Sequence, residues 1–246
     1  RVAAGAIFKQ FLSTKNIHIA SHTVQIGDIK VDSDYSFEDI QAIYEKDPEI
    51  RCVDPAKSRE MKQLIQQARM DKDTLGGVVE TWAVGLPAGL GDYAQWDTKL
   101  DGKLAQAMMS IQSVKAVEIG AGIGIAGARG SEVHDEIHSR HPEATPKDPS
   151  TRKNGFFANA QNDNNSYYRT TNRAGGLEGG VTNGMPLVVR VYHKPISTLY
   201  NPLQTVDIET KQPTEATVER SDICVVPRAG VVSEAMLAYV LAGESI

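Results

Sequence analysis

Cysteine, basic charge and long apolar runs are scarce in this sequence, and each shortage argues against a class of function. Cys52 and Cys224 are the two cysteines in 246 residues. They lie far apart and form no Cys-x-x-Cys or other metal-ligand spacing, so reduced thiols in a cytoplasm are the simplest reading, with a lone disulfide as the alternative. Lys and Arg number 26 against 31 Asp and Glu, a formal net charge of −5. That balance argues against a broad basic face following a nucleic-acid backbone, so an anionic ligand has to meet a local cluster of cations. No uninterrupted apolar run reaches the roughly 18 residues of a membrane span, and no basic stretch followed by an apolar one opens the chain.

What is present is an ordinary globular mixture, 41% apolar and 23% charged, long enough for one large domain or two small ones. Ile7, Phe8, Phe11 and Leu12 fall at helical spacing with no capping residue before them, which predicts a chain that begins inside a helix. Alternation over 17–26 predicts a strand with Ile17, Ile19, Val24 and Ile26 inward and His18 and His22 on the other face. Ser36 stands three residues before Asp39 and opens a short helix to Glu45; Asp54-Pro55 opens a second, ending before Gly76 and Gly77. Further strands are expected at 78–84, at KAVEIGAG, at GMPLVVRVYHKP and near VDIET. Helices are expected from Thr98, with Met108 and Met109 in the core, and over VSEAMLAYVLAGESI. Residues 139–168 are polar and turn-rich and predict an exposed loop. The irregular alternation of strands and helices favours a mixed α/β fold with antiparallel pairing.

Several motifs are weak. Gly122-Ile-Gly124-Ile-Ala-Gly127 matches a dinucleotide fingerprint, but the segment where a second apolar strand and its acidic residue belong is SRHPEATPKDPSTRKN. His134 and His138 have the spacing of zinc ligands, yet Asp135 stands where the metalloprotease pattern needs Glu and no third ligand is evident, so no metal site is assigned. No serine-nucleophile elbow is present. The richer stretch is NRAGGLEGGVTNGMPLVVRVYHKPIST, whose glycines offer a bare backbone surface to something large and flat. It ends in Lys194-Pro195-Ile196-Ser197-Thr198, a cation, a rigid turn and two hydroxyls suited to phosphate. Arg220-Ser221-Asp222 precedes the apolar ICVV, so a carboxylate emerges at the edge of an expected strand, either as a proton acceptor or as an ion-pair partner of Arg220 or Arg228.

These last residues carry a family resemblance. RSDICVVPRAGVVSEAM (220–236) resembles the C-terminal signature of chorismate synthases, and the glycine stretch ending in KPIST and the segment MMSIQSVKAVEIGAG are similar to that family in the same order. The resemblance extends from Arg1 to the C-terminus and is weakest over 139–168. It implies an α/β (α+β) β-α-β sandwich with helices between antiparallel sheets, present here as a single incomplete domain over 1–246 that lacks the N-terminal third. It further implies a cytoplasmic homotetramer, without membrane or nucleic-acid partners. The reaction implied is anti-1,4 elimination of phosphate from 5-enolpyruvylshikimate 3-phosphate to give chorismate, with reduced FMN as cofactor and NADPH as a candidate reductant. Transferred residue by residue, flavin contacts would come from Gln112, Ser113, Gly179, Lys194, Pro195, Ile196, Ser197, Thr198 and Arg220, the last also reaching substrate. Asp222 matches the aspartate that relays a proton. The family's Gly-Glu-Ser-His and Gly-His-Ala segments and an Arg-rich stretch are absent from these residues, and none of His18, His22, His134, His138, His141 or His193 matches a family catalytic histidine. The alternatives are a noncatalytic fragment that binds flavin and oligomerises, and a nicotinamide oxidoreductase built on Gly122, Gly124 and Gly127.

Overall fold

The computed structural model describes residues 1–139 and 167–245. Residues 140–166 of the expected loop, His141 among them, lie outside the described residues. Helix α1 (Val2–Ser13) has no side-chain cap at Arg1, and its packed face runs through Gly5, Phe8, Phe11 and Leu12 while Ile7 is 67% exposed. Strand β1 (His18–Ile26) turns at Gly27 into β2 (Ile29–Lys30). The capping box forms, with Asp39 N donating to Ser36 Oγ at 3.2 Å and Ser36 N to the Asp39 carboxylate at 3.1 Å. The expected single helix nevertheless divides at Ala42 into α2 (Phe37–Gln41) and α3 (Ile43–Lys46). Each piece buries one apolar side chain, Ile40 or Ile43, too little to hold one continuous helix.

Helix α4 (Pro55–Met70) starts where Asp54 accepts from the Ala56 and Lys57 amides at 2.8 and 3.1 Å. It stops earlier than the glycines suggested, because Lys72 turns left-handed (φ 59°) and Asp73 N caps the Ala68 carbonyl. Strand β3 (Gly77–Val84) follows, then α5 (Leu100–Met109) and β4 (Val114–Ile119). Met108 is fully buried, but Met109 points away from the core and is 47% exposed. A 3-10 helix (Gly122–Gly127) and α6 (Gly130–Val133) lead to β5 (Ile137–Ser139), which pairs with β6 (Tyr167–Arg169). Next come the small hairpin of β7 (Leu177–Glu178) and β8 (Val181–Thr182), the long β9 (Leu187–His193), and the ribbon of β10 (Gln204–Val206) and β11 (Pro213–Glu215), which supplies the strands expected near VDIET. The last helix, α7 (Val226–Glu244), begins six residues before the predicted VSEAM segment.

The main sheet has the order β2-β1-β3-β9-β4, antiparallel at every pairing. One face packs on helices: Ile19, Ala83, Leu187, Val189 and Val191 meet Leu237, Ala238 and Leu241 of α7, with Leu104 and Met108 of α5 and Leu12 of α1 in the same cluster. The mixed α/β expectation with antiparallel strands therefore holds. The sheet and the helical layer of the sandwich are both present, and three two-stranded ribbons make up the remaining sheet structure among the described residues. His22 corrects the β1 expectation. It does point to the face opposite the helices, but that face is covered, and His22 is 1% exposed against Tyr35 and Glu80.

Helices α1 and α7 touch at Gly5, where an added Cβ would lie 2.3 Å from the Ala235 Cβ and 2.6 Å from its Cα. Backbone cannot yield as a flexible side chain can, so Gly5→Ala is expected to destabilise the protein by about 1–3 kcal/mol. Denaturant unfolding of the variant measures this, and an unchanged midpoint would mean that the helices slide apart at no cost.

Candidate functional site

Three chain segments converge at the end of the sheet where β9 finishes. The turn from α5 into β4 brings Ile111, Gln112 and Ser113; the exit of β9 brings His193 through Thr198; the lead into α7 brings Ser221 to Val225. Backbone and hydroxyl hydrogen bonds tie them together. Lys194 N donates to the Ser113 carbonyl at 2.9 Å and Leu75 N to the Ile223 carbonyl at 2.8 Å. Thr74 Oγ1 donates to the Ile196 carbonyl at 2.7 Å and Ser221 Oγ to the Thr198 carbonyl at 2.9 Å. Ser113 is held at φ 67°, an uncommon conformation for a residue with a side chain.

The segments enclose a cavity of about 570 Å³. Its apolar wall is Ile111, Val225, Ala229 and Val232; its polar groups are Gln112, Ser113, Lys194, Ser197, Asp222 and Arg228. Arg228 Nη1 donates to Asp222 Oδ2 at 3.2 Å, both side chains being largely exposed. His193 is 5% exposed, its Nδ1 lies 2.9 Å from Ser113 Oγ, and its Nε2 is buried without a hydrogen-bond partner. Burial lowers the His193 pKa, opposed by the Gln112 carbonyl, so the ring is neutral at physiological pH. A flat apolar wall, a cationic rim and clustered hydroxyls suit a planar ligand carrying a phosphate. Cys224 lies close by in sequence, but burial pushes its thiol up to about 11, as it does for Cys52, and both cysteines are free.

Comparison with known proteins gives the site its context. The family model for chorismate synthase matches residues 1–246. The chain belongs to the chorismate synthase family. It is 46% identical over 248 aligned residues to the chorismate synthases of Bacillus velezensis and Bacillus subtilis, covering 100% of this chain and 58% of each relative. The Moorella thermoacetica chorismate synthase is likewise 46% identical, over 243 residues, covering 99% of this chain and 57% of that relative. A crystal structure of a chorismate synthase matches with a TM-score of 0.72 at 40% identity, over 98% of this chain and 60% of that one. The chain thus spans somewhat more than half the length of the chorismate synthases it matches.

Of the residues that the chorismate synthase resemblance singled out, Gln112, Ser113, Lys194, Ile196, Ser197 and Asp222 line this one cavity. Pro195 and Thr198 lie in the same loop, and exposed Arg220 sits two residues before Asp222. Asp222 is not at a strand edge: ICVV makes a single parallel bridge, Leu75 with Cys224, and then enters α7. Gly179 is set apart. The Gly180 carbonyl accepts from Leu100 N at the start of α5, whereas Gln112 follows the end of that helix, about 15 Å away by helical rise.

Gly175 and Gly176 of the chorismate synthase stretch serve the chain's own packing. A Cβ at Gly175 would meet Gly120 N at 2.2 Å, and one at Gly176 the Pro186 carbonyl at 2.6 Å, so these surfaces are already covered by backbone. Asp135 holds the same loop, accepting from the Arg173 and Ala174 amides at 2.9 Å each and from Thr171 Oγ1 at 2.5 Å. Asp135 is thus engaged in holding this loop. His134 follows α6 while His138 lies in β5, so the two rings do not share a helix face, and no metal-binding cluster of His, Cys, Asp or Glu occurs among the described residues. Gly122–Gly127 forms a 3-10 helix with Ile123 70% exposed, not the strand-to-helix cradle that a nicotinamide cofactor requires.

Sequence reasoning passed over His193 as a site residue. For His193 the signal was available, since Leu187, Val189, Val191 and His193 share one phase of β9 and all four are buried. Arg228, offered by the sequence as an ion-pair partner of Asp222, does pair with it, brought there by the start of α7 at Val226.

Proposed function

We propose that this chain is the flavin-facing portion of a chorismate synthase, a lyase that eliminates phosphate from 5-enolpyruvylshikimate 3-phosphate to form chorismate. The observation that carries this reading is the gathering of Gln112, Ser113, Lys194, Ile196, Ser197 and Asp222, from three separate segments, around one cavity. Reduced FMN, when bound, supplies transient electron density to the eliminating system and recovers it without net redox change. The chain's own residues bind, orient and handle protons. The wall of Ile111, Val225 and Val232 takes the planar ring, and Lys194, Ser197, Thr198 and Arg220 take phosphate. The Asp222 carboxylate, oriented by Arg228, accepts a proton.

The working form is a homotetramer in a cytoplasm, with NADPH as the candidate source of reducing equivalents. No described helix is long and apolar enough to cross a membrane. Gly179, for which an added Cβ would meet nothing within 4 Å, is the transferred flavin contact that this reading assigns to a surface between copies.

Anaerobic mixing of the full-length protein with reduced FMN and 5-enolpyruvylshikimate 3-phosphate tests the reading. Chorismate and phosphate should appear in equal amounts with no net flavin oxidation. Flavin binding without chorismate would favour a binding role, and NADPH consumption by the purified protein would identify the reductant.

A further inference from the structure

We infer that His193 is a positioning residue of the flavin site, its Nε2 accepting a hydrogen bond from an N–H or O–H group of the bound cofactor. The inference rests on the flavin reading above, but its observations are separate. His193 ends β9 in phase with Val189 and Val191, so its ring turns toward the helical layer and lines the cavity beside Ser113 and Val225. The ring is 5% exposed, and Nε2 has no hydrogen-bond partner although it is buried. A buried ring nitrogen left unpaired is costly, and a polar group in that state on a cavity wall marks where a ligand completes the bonding.

The tautomer follows from the neighbours of Nδ1. Ser113 Oγ lies 2.9 Å from Nδ1 and can accept from it, and the neighbouring Gln112 carbonyl favours a protonated ring edge. The tautomer we infer has the proton on Nδ1, donated to the Ser113 hydroxyl. Nε2 then presents a bare lone pair to the cavity, which selects a donor. The flavin ring has N–H donors and the ribityl chain has hydroxyls, whereas a phosphate or carboxylate has only acceptors at neutral pH. His193 therefore recognises the ring or the ribityl chain, and the cations Lys194 and Arg220 recognise the phosphate. Ser113 makes this contact from a left-handed backbone conformation, φ 67°.

The test is FMN affinity of the full-length protein by flavin fluorescence, with thermal melting of each variant alongside. His193→Phe keeps a flat ring but no acceptor and is expected to weaken FMN binding about tenfold, one hydrogen bond to a buried acceptor, at an unchanged or raised melting temperature. His193→Gln, which returns an acceptor oxygen near the Nε2 position, is expected to bind within about threefold of the parent. A loss confined to reduced FMN supports a bond to a ring N–H that oxidised flavin lacks; an equal loss for both supports the ring N–H common to both or a ribityl hydroxyl. Equal affinity of His193→Phe and the parent overturns the inference, and so does an equal loss in both variants with lowered melting temperatures, the mark of a merely structural ring. If His193→Phe does not fold, His193→Met takes its place under the same criteria. A parent that binds no FMN overturns the flavin reading and this inference together; a parent that binds, with an equally tight apolar variant, overturns this inference alone.

Discussion

Replacing Glu80 by Gln is expected to lower the unfolding free energy of the full-length protein by about 3–5 kcal/mol. Glu80 is fully buried in the middle of β3 on the sheet face away from the helices. Its Oε1 accepts from Tyr35 Oη at 2.8 Å and Trp82 Nε1 at 2.5 Å and faces His22 Nε2 at 3.3 Å; its Oε2 lies 2.6 Å from Arg190 Nε. Arg190 spans the neighbouring strand β9 and also donates to the Gly120 carbonyl at 2.9 Å. A single carboxylate thus joins β1, β3, β9 and the loop after β4. Burial alone would push its pKa up, but the His22, Arg190 and Tyr35 contacts outweigh it and hold the carboxyl at about 2. Burial and the adjacent Glu80 charge push the Tyr35 phenol well above its ordinary value, so it remains a donor.

An amide in place of the Glu80 carboxylate would keep the shape while leaving the half-buried Arg190 guanidinium without its counter-ion. The pH dependence has a fixed sign. A carboxyl whose folded pKa lies below its unfolded one stabilises fully above about 4.5, and that contribution drains away as pH falls toward about 2. Urea unfolding at pH 7 should show the full gap between parent and Glu80→Gln, narrowing below about pH 4.5. Adding Arg190→Met to Glu80→Gln should cost less than the two single effects summed, because the stranded charge is gone. A gap under 1 kcal/mol at pH 7, or one that does not narrow in acid, would show that Glu80 is not held as an ion.

Glu80 also shows where sequence reading stops. In GVVETWAV a lone Glu within a strand looks like a solvated outward residue, and apart from Trp82 its partners stand 45, 58 and 110 positions away in sequence, at Tyr35, His22 and Arg190. Only the register that sets His22 opposite Glu80 and Glu80 opposite Arg190 reveals the cluster. Local signals fared better: Asp54-Pro55 and Ser36 with Asp39 each start a helix as their chemistry demands. Helix α7 was misplaced at its start because most of its positions from Val226 to Ala242 are buried and small or apolar, with only Arg228 and Tyr239 exposed among them, so the amphipathic period that would mark its beginning is weak. The glycines at 175 and 176 were legible as bare backbone, but whether a ligand or the chain itself fills that space depends on the approach of Gly120 and Pro186. Gln112-Ser113 and KPIST came together through the family resemblance; in the structure, the pairing of β4 with β9 brings them to one place.

The second large effect concerns Asp222. In the full-length protein, Asp222→Asn is expected to slow chorismate formation about 10²–10³-fold, the scale of a lost general base, with FMN affinity within about twofold of the parent. The geometry makes the substitution clean. Asp222 lies at the cavity rim with its side chain about half exposed, and one of its oxygens is engaged by Arg228 at 3.2 Å. Asn preserves that contact through its carbonyl oxygen and fills the same volume, so binding surfaces are undisturbed; it removes the ability to take up a proton. The loss should therefore fall on kcat and leave KM nearly unchanged, as for a group whose contribution is made in the transition state. Arg228→Gln separates this role from the ion pair that the sequence also allowed. If Asp222 serves only to neutralise Arg228, both variants will turn over like the parent. If Arg228 orients a working base, Arg228→Gln will cost less than Asp222→Asn, and Asp222→Asn will cost little more in the Arg228→Gln background only where the two act through one step.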